Sequence, residues 1–307
     1  MEFEITYSIV IPVYNAEEAL QELTDRIRKV MDEIGSPYEV ILVDDCSSDK
    51  SWTKLQEIHD KDKRFKAIQL FRNFGQHNGT LCGLAHSSGQ YVLTLDCDLE
   101  HHPEDIPKLL EYKEHDIVIA KFETKTHNLF KRIVSRIKDL YIQKLIGSPK
   151  RFHMSSFRLF QNQVVKNMVK IATPYPFIPA MMFFVSKDAV NVSIEHGVRK
   201  YGKSTYSLRA MIRLFSYLMI NNSSYLLRVI GKSGLMVAGI GLLMGFYFIV
   251  RKIFIPTVVP GWTTLVVLNL VIGGLILIGQ SVTGEYLIRI INNTEERPSY
   301  IERSILK

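Results

Sequence analysis

Residues 91–102 read YVLTLDCDLEHH, a short apolar run with β-branched residues that stops on Asp96 and Asp98, two acids one residue apart. A run of this kind bounded by polar residues predicts a strand over Tyr91–Asp96. Upstream stand three more such runs, Tyr7–Val13 (YSIVIPV), Tyr38–Asp44 (YEVILVD) and Phe65–Phe71, and downstream a fifth, Asp116–Ala120. Helix-like stretches at Glu17–Ile34, Asp49–Asp60, Gln76–Ser87 and Glu104–Tyr112 separate them. This alternation predicts an α/β domain, with a mostly parallel sheet covered by helices on both faces. Ligands of such sheets bind beyond the carboxyl ends of the strands.

Those ends are polar. After the first strand come Pro12-Val13-Tyr14-Asn15-Ala16-Glu17, at a helix start whose N–H groups are expected to be free. After the second come Asp44-Asp45-Cys46-Ser47-Ser48-Asp49, with Asp49 as the expected N-cap of the next helix. After the fourth, Asp96 and Asp98 project the same way, which suits a hard divalent cation that keeps some waters and bridges phosphates. A D-x-D alone also marks ordinary solvated turns, and its placement among the other acidic strand ends is what gives it weight.

The 307 residues carry 38 Lys+Arg against 31 Asp+Glu, a net charge of +7. Nine of the basic residues fall between Lys121 and Arg151, against Glu123 and Asp139, a surplus that suits an anionic surface. Within it Leu129, Phe130, Ile133, Val134, Ile137, Leu140, Tyr141 and Leu145 fall at helical spacing, with Lys131, Arg132, Arg136, Lys138 and Lys144 between them. A helix over about 127–146 then lies in a headgroup layer or packs on the domain as an ordinary surface helix. Leu208–Leu218, with Arg209 and Arg213, invites the same pair of readings. The basic stretch lacks a nucleic-acid motif, so nucleic acid is not an expected partner.

Cys46, Cys82 and Cys97 form no CxxC pair, so neither a disulfide framework nor a zinc ribbon is expected, and buried filler is the favoured role. Met1-Glu2-Phe3-Glu4 lacks the basic and apolar regions of a secretory signal, which places the N-terminal domain in the cytosol. Ser233–Val250 and Val258–Gly284 carry no charge, and a helix needs roughly 18–20 apolar residues to cross the hydrocarbon core. Two transmembrane helices follow, about 233–253 and 261–283, in preference to buried helices of a soluble core. Arg228, Lys232, Arg289, Arg297, Arg303 and Lys307 outnumber Arg251 and Lys252 of the intervening loop, so both termini are placed in the cytosol. The expected organisation is a catalytic domain over 1–205, juxtamembrane helices over 206–231, membrane helices within 232–284 and a cytosolic tail over 285–307.

The segments SIVIPVYNAEEA, VDDCSSDKS, FRNFGQHNGTLCGLAHSSGQYVLTLDCDLEHHPEDIP and GEYLIRIINNTEERPSYI resemble family 2 glycosyltransferases of the polyisoprenyl-phosphate branch. The resemblance covers nearly the whole chain. It implies a GT-A (Rossmann-like) fold, inverting transfer from a UDP- or GDP-hexose, Mg²⁺ or Mn²⁺, and a polyprenyl-phosphate acceptor at the inner (cytoplasmic) membrane. The implied product is a polyprenyl-phosphate sugar for cell-envelope glycan modification. Membrane lipids become partners, and a membrane homo-oligomer becomes reasonable.

Carried over by motif, Pro12, Tyr14 and Glu17 line the nucleotide pocket, with Asp44 or Asp45 on the base or ribose and Asp96 beside the donor. Asp98 becomes the main metal ligand. Glu100 stands where the family usually has Gln, and still offers a hard oxygen. His101 and His102 replace the usual Asn/Asp-Pro and are expected on the pocket floor rather than on zinc. Ser156, before Phe157 and Arg158, occupies a place often held by Asp. A lipid phosphate is already ionised and is itself the nucleophile, so placement and charge neutralisation replace a general base. Arg158 and the Arg199–Ser204 loop, with Arg199 and Lys203, are the candidates for that task, binding donor pyrophosphate, lipid phosphate or both. For the loop, binding of anionic headgroups alone is the plainer reading. A polysaccharide synthase and an inactive membrane scaffold are the alternative functions; the Q-x-x-R-W segment and extra spans of the former are not visible.

Overall fold

The computed structural model describes residues 4–122, 152–173, 175–194, 261–294 and 298–307, with isolated helical positions at Met236, Leu243, Val250 and Phe254. It divides into two units, Met1–Thr205 with Glu296–Lys307, and Tyr206–Glu295. The amphipathic stretch about 127–146, Leu208–Leu218 and the Arg199–Ser204 loop lie outside the described residues.

In the first unit β1 (Tyr7–Val13), β2 (Tyr38–Asp44), β3 (Phe65–Leu70), β4 (Tyr91–Thr94), β5 (Ile117–Phe122), β6 (Arg158–Gln161), β7 (Ala189–Ile194) and β8 (Glu302–Leu306) form one sheet. Their order is β7-β5-β6-β4-β1-β2-β3-β8. β4, β1, β2 and β3 run parallel, as do β5 and β7, while β6 and β8 are antiparallel to their neighbours. Every residue of β1 and β2 is buried, because helices cover both faces and neither face can be polar. Tyr7 pairs with both Tyr38 and Tyr91, so the carboxyl ends of β1, β2 and β4 finish close together.

Successive strand residues supply opposite cores. Ile9, Ile11 and Leu42 pack with Leu20, Leu23 and Ile27 of α1 (Leu20–Ile34). Val10, Ile41 and Val43 pack on the other face with Leu81, Cys82 and Leu84 of α3 (Gln76–Ala85). α1 stops at Gly35, whose φ of 71° lets its N–H turn back to the Met31 carbonyl. α3 sits unusually close to the sheet: a Cβ on Gly83 would lie 2.3 Å from Val10 Cγ1. α2 is Ser51–Lys61. The helix expected over Glu104–Tyr112 is a 3₁₀ turn, Pro103–Asp105, followed by the short α4 (Ile106–Leu110), with proline in the first turn of each. α5 (Asn162–Val169) and α6 (Ile178–Val185) complete this unit among the described residues.

Periodicity does not announce β6, β7 or β8. The sequence reading leaves 285–307 as a tail, whereas 302–306 are the outer strand of the catalytic sheet, with Ala67 opposite Leu306. β8 is a half-exposed edge strand, ERSIL, and its mixed composition conceals it.

In the second unit Trp262–Thr294 is one 33-residue helix, α7. Counting described residues alone, no helix is long and apolar enough to cross a membrane. The stretch of α7 from Trp262 to Gly284 has no charged residue. The first uncharged segment, about 233–253, is outside the described residues except at isolated positions.

Candidate active site

The loops after β1, β2 and β4, with the start of α3, enclose a cleft of about 700 Å³. Pro12, Tyr14, Glu17, Asp45, Asp96 and Asp98 all line it. Asn15, Asn73, Gly75 and Gln76, which the sequence reading leaves without a role, line it too, as does Asp49, read there only as an N-cap. Each loop holds one non-glycine residue at positive φ: Asn15 at 49°, Cys46 at 57° and Leu99 at 62°. Such backbone persists only where its surroundings fix it, and it gathers at functional sites.

The first two loops hold each other. Asp49 accepts the Glu17 N–H at 3.2 Å, and Glu17 accepts the Lys50 N–H at 2.8 Å. Asn15 donates its N–H to Ser47 Oγ at 2.9 Å and accepts the Ser48 N–H at 2.8 Å, while the Ala16 N–H reaches Ser51 Oγ at 2.9 Å. The N–H groups expected to be free at this helix start are therefore satisfied within the protein. Asp49 also accepts the Ser51 N–H at 2.9 Å, but α2 begins with Lys50 in the capping position, so Asp49 joins two loops rather than serving as a simple N-cap.

Asp44 and Asp45 part ways. Asp44 is fully buried, accepts the Ser47 N–H at 3.2 Å and Gln69 Nε2 at 3.3 Å, and is not part of the cleft lining. Asp45 lines the cleft and accepts the Phe74 and Gly75 N–H groups, both at 2.7 Å, which fixes the turn into α3. Burial pushes the Asp45 carboxyl above its ordinary value, with the Asp44 charge adding to the rise and the two N–H bonds opposing it.

Asp96 is held from three sides. Gln76 Nε2 donates to Oδ1 at 2.6 Å, Ser156 Oγ donates to Oδ2, and the Asp96 N–H donates to His101 Nδ1 at 3.1 Å. Thr94 Oγ1 bonds the Ser156 carbonyl at 2.7 Å, locking the Ser156 backbone to β4. Arg158 is 5% exposed, and its Nε has no hydrogen-bond partner. Burial lowers its pKa to about 10, against the pull of Asp96, so it remains a cation at neutral pH. His77, half-buried with its ring edge-on to Phe177 at 5.0 Å, is lowered to about 4 by burial and by the charge of Arg158. It is neutral at physiological pH. Burial, together with Asp96 and Asp98, pushes the Cys97 thiol up to about 12, which removes it as a nucleophile.

The histidines beside the D-x-D are props. His101 is buried and stacked between Phe122 at 5.3 Å and Phe157 at 5.5 Å. His102 accepts Arg26 Nη2 through Nδ1 at 2.7 Å, while Arg26 also grips Glu104. Neither lines the cleft, so the expected pocket-floor role becomes support from behind. Glu100 stands beside the cleft, its N–H on Asp98 Oδ1 at 3.1 Å. Arg199 and Lys203 lie outside the described residues. Gln76 is the legible omission: it opens α3, at the end of the loop that leaves the third strand, and this kind of sheet puts ligand contacts in such loops.

A mostly parallel sheet with an acidic cleft across the ends of β1, β2 and β4 defines an α/β enzyme domain of GT-A-like architecture. The chain belongs to glycosyl transferase family 2, whose model matches residues 8–169, and it is a glycosyltransferase. It is 32% identical, over 98% of its length and 94% of the relative's, to the undecaprenyl-phosphate 4-deoxy-4-formamido-L-arabinose transferase of Edwardsiella ictaluri (strain 93-146). The transferase of that name from Yersinia pestis (strain Pestoides F) is 33% identical over 97% of this chain and 93% of its own. Among solved structures, glucosyl-3-phosphoglycerate synthase of Mycobacterium tuberculosis, in complex with Mn²⁺, UDP-glucose and phosphoglyceric acid, superposes with a TM-score of 0.51. It covers 71% of this chain and 80% of that one at 17% identity, a likeness of fold.

Proposed function

We infer that this protein transfers a sugar from a nucleotide-sugar to a polyprenyl phosphate at a membrane, giving a lipid-linked sugar for cell-envelope modification. The observation that carries the reading is the acidic cleft at the strand ends, in a chain related over nearly its full length to undecaprenyl-phosphate sugar transferases. In the reaction a phosphate oxygen of the lipid attacks the anomeric carbon. The bond to the nucleotide diphosphate breaks, and its electron pair leaves with the diphosphate.

The residues present fit a divalent cation of the Mg²⁺ or Mn²⁺ type. The donors near the cleft are carboxylate oxygens, and Nδ1 of both His101 and His102 already accepts an N–H. Asp98, which lines the cleft, is the carboxylate we assign to the metal, with Glu100 in support. Such a cation, when bound, neutralises the diphosphate. Asp96 is instead an oriented acceptor for the donor's hydroxyl groups. Arg158 places a buried positive charge behind it, and Arg199 and Lys203 are assigned to phosphate charge.

Membrane attachment has independent support. Met236, Leu243, Phe254, Leu265 and Ile278 are 58–77% exposed, and apolar exposure on this scale needs a lipid or protein cover. The 23 uncharged residues from Trp262 to Gly284 rise about 34 Å as a helix, enough for a hydrocarbon core of about 30 Å. β8 follows that helix and pairs with β3. That pairing supports the reading of two spans over one, with the residues before and after them on the same side of the membrane.

The test incubates membranes containing the protein with polyprenyl phosphate and a panel of labelled nucleotide-sugars. Labelled, chloroform-extractable lipid should form with at least one donor and vanish with Asp98→Asn. No labelled lipid from any donor, with the protein folded and inserted, would overturn the assignment.

A further inference from the structure

At the far end of α3 from the cleft, three side chains converge that the transfer reaction does not use. Cys82 lies on α3 and His86 just past its end, four residues apart and so on one helical face. Glu302 reaches them from β8, more than 200 positions away in sequence. Glu302 Oε1 lies 3.7 Å from Cys82 Sγ and 2.7 Å from His86 Nε2, and one ligand atom from each residue lies within 4.8 Å of the others.

We propose that Cys82, His86 and Glu302 form a zinc-type metal site that fastens the C-terminal strand to the catalytic domain. Thiolate, imidazole and carboxylate are the ligand set zinc takes, and one that Mg²⁺ does not favour. Tetrahedral zinc with bonds of about 2.0–2.3 Å holds its ligand atoms roughly 3.3–3.5 Å apart. The Cys82–Glu302 separation of 3.7 Å is a few tenths of an ångström wider than this. The His86–Glu302 contact of 2.7 Å has to open by about 0.6–0.8 Å, a small side-chain rotation. Cys82 is buried, while the side chains of His86 and Glu302 are 26% and 28% exposed, which leaves an entry path and a fourth position for water.

The proton balance is explicit. Without metal the Cys82 thiol donates to Glu302, and burial next to that carboxylate keeps it protonated. Metal binding forms the sulfur–metal bond, releases the thiol proton to solvent, and replaces the His86–Glu302 contact with two bonds to the ion. Affinity therefore falls as pH falls. The Tyr300 hydroxyl is the other titratable neighbour of Cys82 and Glu302 among the described residues, and burial holds it protonated. The site is separate from the cleft, because Gln76, the residue that touches Asp96, begins α3 and His86 follows its end, about 15 Å along the axis.

The test uses the full chain in detergent with millimolar Mg²⁺ present, so that the cleft does not compete. Zinc should be retained at one per chain through gel filtration. Cobalt(II) should give an intense near-ultraviolet thiolate charge-transfer band with visible tetrahedral bands. Cys82→Ala should abolish the band and weaken zinc binding at least about tenfold. Glu302→Gln should weaken zinc at least tenfold while keeping the thiolate band at saturating cobalt. Far-ultraviolet circular dichroism checks that both variants fold. Absence of a thiolate band in the wild-type protein, or equal zinc binding by wild-type and Cys82→Ala, would overturn the proposal and leave the triad a hydrogen-bonded clasp.

Discussion

Ser156→Ala isolates one contact at the centre of the site. The substitution removes the hydroxyl that donates to Asp96 Oδ2 and nothing else of consequence, because Thr94 bonds the Ser156 main-chain carbonyl, which alanine keeps. A hydrogen bond to a charged group contributes about 1.5–3 kcal/mol. If Asp96 is useful only when held in place, most of that appears in the transition state, and kcat/KM falls roughly 10–100-fold. Initial rates of sugar transfer to polyprenyl phosphate, with donor concentration varied, separate kcat from KM. The expected result is a loss mainly in kcat, an unchanged melting temperature, and substantial rescue by Ser156→Thr, which restores a hydroxyl. Activity within about twofold of wild type in Ser156→Ala, at unchanged stability, would refute the view that Ser156 orients Asp96. A large loss accompanied by unfolding would refute the claim that the β4–β6 seam does not need the hydroxyl.

Two predictions concern the fold that carries the site. Glu39 accepts Ser8 Oγ at 2.6 Å, Ser88 N–H at 2.7 Å and Lys66 Nζ at 2.5 Å; burial alone would raise its pKa, but these bonds together hold it below the ordinary carboxyl value. A depressed folded pKa gives stability that is present above the unfolded value of about 4.3 and lost as pH falls through the folded one. Thermal melts below about pH 5 should show that loss in wild type and a flatter profile in Glu39→Gln, which also costs about 3–5 kcal/mol at neutral pH. Equal acid profiles would dismiss Glu39 as the titrating group. Gly83→Ala places a methyl 2.3 Å from Val10 Cγ1 and should cost about 1–3 kcal/mol by melting, with partial recovery in the double variant Gly83→Ala/Val10→Ala. An additive double variant would show that the clash is relieved elsewhere.

The amino-acid sequence by itself determined the parallel half of the sheet and the address of the cleft. Tyr7–Val13 and Tyr38–Asp44 are strands with the expected bounds, because runs buried on both faces leave a continuous apolar signal. The acids that follow them and the D-x-D reach one cleft because parallel strands in register finish level. Tertiary structure alone decided how those acids divide. Neighbours in sequence, Asp44 and Asp45 differ in role because the turn into α3 supplies two N–H groups to only one of them. Asp96 is fixed by Gln76 and Ser156, which stand 20 and 60 residues away, and no local pattern encodes such a meeting. β8 is the extreme case: a short edge strand of mixed composition has almost no intrinsic signal, and only pairing with β3 defines it. That pairing brings Glu302 to Cys82 and His86, so a cysteine that reads as core filler in sequence becomes one side of a polar triad.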